Sequence, residues 1–235
     1  MKPARPGSQR GGGSGTSGTV DTPDIACTCA PRRRTWMVGA GLGAAALAAG
    51  FPAVGAAPAG QPGASASPSE AEVEALLRRG GVVFALRHAR APGTFDPPGM
   101  RLDDCATQRN LDEDGRTQAR RIGQWFSTRG LKPVRVRSSP WCRCQDTARL
   151  AYGAHEVWPV LGSPHGQPEA ASRTAVAALR AGLDAAGRRP GAFEVWVTHM
   201  FVISALTGES SSSGEGLVLA AGTAGAARVL GRLAP

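Results

Sequence analysis

Two histidines and two arginines each lie at, or shortly after, the end of a predicted strand. They are Arg87, His88, Arg143 and His199. A neutral imidazole can attack phosphorus, and the planar fork of a guanidinium group matches the oxygens of a phosphoryl group and spreads their charge. A second imidazole can donate to the same oxygens in the transition state. Together these side chains could transfer a phosphoryl group if the fold brings them to one place.

Alternating helices and strands predict how the four side chains meet. Strands are predicted at 82–86 and 193–198, which are apolar runs, and at 134–137, which is a short strand, with amphipathic helices around them. The pattern favours an α/β fold, a three-layer α/β/α sandwich with a mostly parallel central sheet. In such a sheet the carboxyl ends of the strands lie at one edge, where ligands bind. Further predicted elements are a helix capped by Ser69 and Glu72, helices at 112–130, from Arg143 and at 169–186, a short helix before Gly208, and closing strands at 217–219 and 228–230.

Several other chemistries lack the motifs that they require. Neither Lys2 nor Lys132 lies in a Gly-Lys-Ser/Thr phosphate loop, and the chain has no zincin histidine pair and no Gly-x-Ser-x-Gly elbow. Of the net charge of +9, +4 lies in the first 59 residues. Six of the 27 basic and two of the 18 acidic residues precede Gly60, which leaves +5 for the remainder. We therefore expect no nucleic-acid partner.

The first 59 residues predict an export signal with a long leader. Arg33-Arg34, a spacer and two apolar residues resemble a twin-arginine signal, and the uncharged stretch 35–59 ends in small residues that suit cleavage. An uncleaved membrane helix is the alternative, because this stretch is long enough to span a bilayer. We expect the twin-arginine export machinery as a partner, a periplasmic or extracellular location, and no membrane contact after cleavage. The predicted domains are the signal at 1–59, a linker at 60–68 and an enzyme domain at 69–235.

An ordered set of motifs points to one family. The set comprises Leu86-Arg87-His88-Ala89, Gln108-Arg109-Asn110-Leu111, Gly115-Arg116-x-Gln118-Ala119, Ser138-Ser139-Pro140-x-Cys142-Arg143-Cys144-x-x-Thr147-Ala148 and Val197-Thr198-His199. It resembles the histidine phosphatase superfamily, which has the phosphoglycerate-mutase-like fold, over about residues 80 to 219. The resemblance implies that His88 is the phosphorylated nucleophile. It also implies that Arg87, Arg143 and His199 form the phosphate pocket, without metal or cofactor.

The chain departs from the family pattern at two points. Ala89 stands where the family usually has glycine, so its methyl group either crowds the pocket or is harmless. No clear motif marks the acidic proton donor, for which we prefer Glu169 over Glu156, with His165 as a substitute. Two further arginines, Arg90 and Arg109, are candidates for binding the far end of a polyanionic substrate or are solvated loop charges.

The cysteines of the predicted mature chain do not indicate cysteine chemistry. Cys105, Cys142 and Cys144 do not head a Cys-x5-Arg phosphate loop. Cys144 shares a predicted helix face with small apolar residues and is expected to be buried. Cys105 and Cys142 lie in loops near the predicted catalytic edge, and an oxidising destination would permit a disulfide between them.

These observations predict an exported phosphatase that hydrolyses small phosphomonoesters through a phosphohistidine on His88. One alternative is a degenerate member of the same fold that binds a phosphorylated ligand without turnover. A second alternative is a protein phosphohistidine phosphatase, which shares the core but needs an open cleft.

Overall fold

The computed structural model describes residues 68–223 and 226–235. The predicted signal at 1–59 and nearly all of the predicted linker lie outside the described residues. The helices are α1 (Glu70–Arg79), α2 (Glu113–Thr128), α3 (Cys142–Tyr152), α4 (Glu169–Gly187) and α5 (Met200–Thr207). The strands are β1 (Val82–Arg87), β2 (Arg135–Ser138), β3 (Glu156–Val157), β4 (Phe193–Thr198), β5 (Gly216–Ala221) and β6 (Ala227–Leu233).

The six strands form one sheet in the order β3-β2-β4-β1-β5-β6. The first four strands in this order run parallel to one another, and β5 pairs antiparallel with both β1 and β6. The predicted α/β fold with a mostly parallel sheet is therefore confirmed. Strand β3 was not predicted, because a two-residue strand has too few residues to show a periodic pattern.

Helices cover both faces of the sheet. On one face, α1, α2 and α3 pack against side chains such as Phe84 and Val195. On the other face, α4 and α5 pack against neighbours in the same two strands, such as Val83 and Trp196. Successive strand residues point to opposite faces, so a strand that is covered on both sides must be apolar throughout. This explains the continuous apolar runs of β1 and β4 and produces the three-layer arrangement.

Helix α1 begins and ends at the residues that the sequence predicts. The Ser69 side chain accepts a hydrogen bond from the Glu72 backbone, and the Glu72 carboxylate accepts one in return from the Ser69 backbone N–H. Gly80 ends the helix with φ of 68°, and a side chain there would overlap the Ala192 backbone. The chain can therefore turn directly from α1 into β1.

The register of β1 against β4 brings the two predicted catalytic histidines together. Arg87 pairs with Thr198 at the carboxyl ends of these parallel strands, so the next residue on each strand is a histidine. The backbone N–H of His88 donates to the Thr198 carbonyl at 3.0 Å. The neighbouring pair Ser138 and Val197 places the end of β2 at the same edge. The central pair of strands therefore fixes the position of the candidate site.

Within residues 68–223 and 226–235, no helix has the length and apolar character needed to cross a membrane.

Candidate active site

A cleft of about 470 Å³ opens at the carboxyl ends of the parallel strands. Its buried floor holds His88, Arg143 and His199, which are 2%, 4% and 3% exposed. Arg87 and Arg109 also line it. The structure thus brings together both predicted histidines and three of the four predicted arginines.

The buried imidazole of His88 is held in the tautomer that a nucleophile needs. Its Nδ1 lies 2.7 Å from the carbonyl oxygen of Ala89. A carbonyl oxygen only accepts, so Nδ1 carries the proton and Nε2 keeps its lone pair. The pKa of His88 is lowered from 6.5 to about 3, mainly by burial, and the charges of the cleft arginines contribute. His88 is therefore neutral and able to attack at neutral pH.

The second imidazole, that of His199, lies beside the first. The ring centroids of His88 and His199 are 5.6 Å apart and the rings meet edge to face. A guanidinium nitrogen of Arg143 lies 3.4 Å from His199 Nδ1. The other ring nitrogen, Nε2, lies 2.8 Å from Ser139 Oγ, whose hydroxyl can donate to it and leave the proton on Nδ1, where it can be donated to an oxygen bound in the cleft. Burial, and then the charges of His88 and the arginines, hold the pKa of His199 well below its ordinary value.

Three arginines give the cleft its positive charge. Arg87 donates to the Ser211 carbonyl at 2.6 Å, and Arg109 donates to the Ala91 carbonyl. All three arginines line the same cleft. Their convergence therefore suits a bound anion with several oxygens, such as a phosphoryl group.

One carboxylate, that of Asp96, also lines the cleft. It accepts a hydrogen bond from Arg143 at 2.8 Å, from the indole of Trp141 at 3.1 Å and from the Arg109 backbone at 3.0 Å. Burial alone would raise the pKa of Asp96, but these bonds and the Arg143 charge outweigh it and lower the pKa. Asp96 is therefore an anchored carboxylate that orients Arg143.

The structure does not bring Glu169, the preferred candidate for the proton donor, into the cleft. Glu169 begins α4, its side chain is 86% exposed, and it forms an ion pair with Arg173 one helical turn later. Glu156 lies on β3 at the edge of the sheet and is also exposed. Neither lines the cleft, because Glu156 starts the outermost strand of the sheet and Glu169 points to the surface, where it pairs with Arg173. Of the three candidates, only His165 does so.

Arg90 is also not part of the cleft. Its side chain is 54% exposed and forms ion pairs with Asp112 and Asp114 at the start of α2. Carboxylates are common at a helix N-terminus, where the helix dipole favours them, and here they hold the guanidinium group. Of the two alternatives for Arg90, the structure therefore favours the surface charge, whereas Arg109 does reach the cleft.

A disulfide joins Cys105 to Cys142, the two cysteines that the sequence analysis paired. It ties the loop that carries Asp96 and Arg109 to the first residue of α3, next to Arg143. The remaining cysteine of the described part, Cys144, is fully buried, and burial raises its pKa to about 12. Its thiol therefore stays protonated, and the structure gives it no role as a nucleophile.

The methyl group of Ala89 does not project into the cleft. It is fully buried and packs in a small cluster with Ala91, Leu111 and Ala119. The backbone N–H of Ala89 donates to Thr147 Oγ1 at 3.0 Å, which fixes the loop behind His88. Alanine at this position is thus accommodated by the packing between the loop and α2.

Sequence reasoning missed two polar residues of the site, Asp96 and the donor–acceptor Ser139. Ser139 lies within a quoted motif and directly follows β2, so its position was a usable signal. Asp96 lies in a loop rich in Pro, Gly and Asp, where nothing separates it from the other acids. Across the part of the chain that the structure describes, no group of three or more His, Cys, Asp or Glu is arranged to hold a metal ion.

Comparison with known proteins gives a family and several similar structures. Residues 84–164 match the model of the histidine phosphatase superfamily (branch 1). This segment contains His88, Arg109 and Arg143 of the cleft. A search of curated proteins found no match.

Three of the similar solved structures are described as phosphatases or putative phosphatases. A putative phosphohistidine phosphatase SixA from Agrobacterium tumefaciens is 21% identical, with a TM-score of 0.44 over 66% of this chain and 97% of that one. A mutant phosphoserine phosphatase from Entamoeba histolytica, in complex with phosphoserine, is 13% identical, with a TM-score of 0.49 over 64% and 95%. A putative alpha-ribazole-5'-P phosphatase from Escherichia coli is 16% identical, with a TM-score of 0.44 over 63% and 93%.

Proposed function

We propose that this chain, whose residues 84–164 match the histidine phosphatase superfamily, is a member of that superfamily and hydrolyses small phosphomonoesters through a phosphohistidine on His88. The observation that carries the proposal is the state of His88. Its Nδ1–H is bound to the Ala89 carbonyl, its low pKa keeps Nε2 free of a proton, and it lies beside His199 among three arginines.

Substrate binding is the first step. The phosphoryl oxygens accept hydrogen bonds from Arg87, Arg109 and Arg143. These guanidinium groups neutralise the dianion and hold the phosphorus atom in front of His88. Guanidinium groups suit this because their donors form a rigid fork that matches two oxygens at once. Asp96 keeps Arg143 oriented through its hydrogen bond.

Phosphoryl transfer follows. The Nε2 lone pair of His88 forms a bond to phosphorus while the bond between phosphorus and the ester oxygen breaks. The leaving oxygen takes a proton, for which His165 is the candidate in the cleft because the carboxyl group of Asp96 is held ionised. His199 and the arginines stabilise the charge on the phosphoryl oxygens.

Hydrolysis of the intermediate completes the cycle. Water attacks the phosphorus of phospho-His88, the bond to Nε2 breaks, and inorganic phosphate leaves. His165, having given up its proton to the alcohol, accepts one from the attacking water. His88 returns to its neutral Nδ1–H tautomer and His165 regains the proton that it gave up, so the sum of the steps is ester plus water to alcohol plus phosphate.

The experiment compares the chain with His88→Ala on p-nitrophenyl phosphate. We expect hydrolysis by the unmodified protein, loss of it in the variant, and no effect of a chelator. Activity that survives in His88→Ala, or that a chelator abolishes, would contradict the mechanism. A protein that binds phosphate but never hydrolyses an ester would instead be the degenerate binder considered above.

We also propose that the enzyme acts outside the cytoplasm. The twin-arginine pattern at Arg33-Arg34 supports export, and the Cys105–Cys142 disulfide suits an oxidising compartment. Amino-terminal sequencing of the protein recovered from the periplasm or medium tests this. We expect a start within or just after the small-residue segment 55–59. Full-length protein confined to the cytoplasm would contradict export.

A further inference from the structure

Three aromatic rings stand together at the outer part of the cleft. They come from three separate segments: Phe95 from the loop after β1, His165 from the loop before α4, and Phe201 from α5. The Phe95 and His165 rings are 4.6 Å apart and 21° from parallel, and the His165 and Phe201 rings are 6.0 Å apart and 19° from parallel. We name this set the aromatic rim. We propose that it binds a flat aromatic ring in the leaving group of the substrate, an inference that rests on the proposed function.

Exposure of the rim is the first argument. The described part of the chain exposes five large hydrophobic side chains, and two of them, Phe95 at 57% and Phe201 at 42%, belong to the rim. Single exposed hydrophobic residues are normal on protein surfaces. These two are not scattered, because they flank one imidazole in nearly parallel planes above a phosphate-binding floor. A group that covered them would remove apolar surface from water, which favours binding.

The chemistry of the cleft is the second argument. The arginines at its floor offer mainly hydrogen-bond donors, and these suit the phosphoryl group. The one carboxylate in the lining, Asp96, already accepts three hydrogen bonds from protein groups. The lining also includes the thioethers of Met100 and Met200. A leaving group rich in hydroxyls would find few side-chain acceptors beyond the hydroxyls of Thr94 and Ser163, whereas an apolar ring would be well matched to the aromatic rim.

The parallel planes are the third argument, and they favour a ring over a chain. Aromatic rings gain from offset stacking beyond the burial of their area, and a stack can be extended by one more ring on an outer face. An alkyl chain gains nothing from planes held parallel. An alkyl leaving group has an alternative site, an adjoining apolar groove of about 250 Å³ that shares Trp141 and Ser163 with the cleft.

The test uses two esters that differ in the ring alone. Benzyl phosphate and cyclohexylmethyl phosphate both leave as primary alcohols, so their leaving groups are similar in basicity and differ in flatness. We expect kcat/KM to favour the benzyl ester by roughly three- to tenfold, the size of a stacking preference. Phe95→Leu and Phe201→Leu keep an apolar side chain and remove the ring, so each should move this ratio toward one.

The control variant is Val134→Ala. Val134 is 58% exposed, like the rim residues, but lines a different depression near the start of β2. Its substitution should leave the benzyl preference unchanged. An unmodified enzyme with no benzyl preference, or a leucine variant at either position that fully retains it, would overturn the inference. A preference for octyl phosphate over the benzyl ester would place the leaving group in the adjoining groove, and it would also overturn the inference.

A binding measurement separates this inference from the proposed hydrolysis. Calorimetry on His88→Ala compares benzylphosphonate, cyclohexylmethylphosphonate and inorganic phosphate, none of which needs turnover. Tighter binding of benzylphosphonate, reduced by Phe95→Leu, supports the rim even if no ester is hydrolysed, in which case the hydrolytic proposal alone fails. Equal binding of the two phosphonates, together with normal hydrolysis, refutes the rim and leaves the proposed function intact.

Discussion

The imidazole of His88 meets that of His199 edge to face, 5.6 Å between ring centroids, at the carboxyl ends of the two central strands. Each ring is fixed from behind by one hydrogen bond, to the Ala89 carbonyl and to Ser139 Oγ respectively. One histidine thus presents a lone pair while the other is oriented to stabilise charge. The register of β1 against β4 brings the two histidines together, and a shift of one residue in this register would separate their side chains.

Removal of the second imidazole should affect the chemical step. We expect His199→Ala to lower kcat on p-nitrophenyl phosphate by roughly 10²–10³-fold, because a preorganised group that stabilises transition-state charge contributes on that order. Ser139→Ala should have a smaller effect, since it leaves the His199 imidazole present but less well oriented. Steady-state kinetics measures both. Near-normal kcat in His199→Ala would show that the arginines suffice.

Acid should destabilise the fold partly through His88. The folded protein keeps this imidazole neutral down to about pH 3, whereas the unfolded chain protonates it below about 6.5. The unfolded state therefore binds more protons in this window, so stability is greatest above pH 6.5 and falls as the pH decreases toward 3. The loss from this one group is roughly 5 kcal/mol at most.

Urea unfolding between pH 7 and pH 4 checks this sign. His88→Asn removes the titrating group, so the variant should lose less free energy of unfolding over this range than the unmodified protein. The exposed His165 provides the control, and His165→Asn should keep the full pH dependence. An unchanged slope in His88→Asn would mean that the buried imidazole is not the source.

Much of the fold was predictable because its signals are local. The apolar runs of β1 and β4, the capping box at Ser69 and the helix spacing all report short-range physics, and the placement of Arg87, His88, Arg143 and His199 followed from strand order. The placement of Glu169 and Arg90 could not be predicted in this way. Whether a charged side chain faces a cleft or pairs at a helix N-terminus depends on tertiary geometry, which spacing along the chain does not encode. For the same reason, the sequence did not indicate that Asp96 lies in the cleft.

The disulfide should support the site as well as stability. Cys105 and Cys142 tie the loop that carries Asp96 and Arg109 to the helix that carries Arg143. We expect the double variant Cys105→Ser with Cys142→Ser to lose about 2–4 kcal/mol of unfolding free energy. Its KM for phosphoesters should rise more than its kcat falls, because phosphate contacts loosen while His88 stays in place.

The matched control for this variant is Cys144→Ala, which removes a buried thiol and leaves the disulfide intact. It should retain its KM and its response to reductant. The unmodified enzyme, treated with reductant, should shift toward the KM of the double variant. Equal KM values for the oxidised protein and the double variant would show that the disulfide does not support substrate binding at the site.

The proton donor can be identified from the leaving group. An ester with a basic leaving oxygen needs a proton, whereas p-nitrophenolate leaves readily without one. We expect His165→Asn to slow hydrolysis of benzyl phosphate by about 10²–10⁴-fold and to affect p-nitrophenyl phosphate much less. Glu169→Gln should leave both rates unchanged. The reverse pattern would restore Glu169 as the donor.

The central claim is that phosphate passes through a covalent bond to His88, and rapid quench with a labelled ester tests it most directly. The protein is mixed with a ³²P-labelled aryl phosphate, stopped with alkali and mapped by peptide. We predict an acid-labile, alkali-stable label on the peptide that contains His88, formed in a burst before steady-state release of phosphate, and absent in His88→Ala. Steady hydrolysis by a correctly folded protein with no label on any histidine would contradict the account.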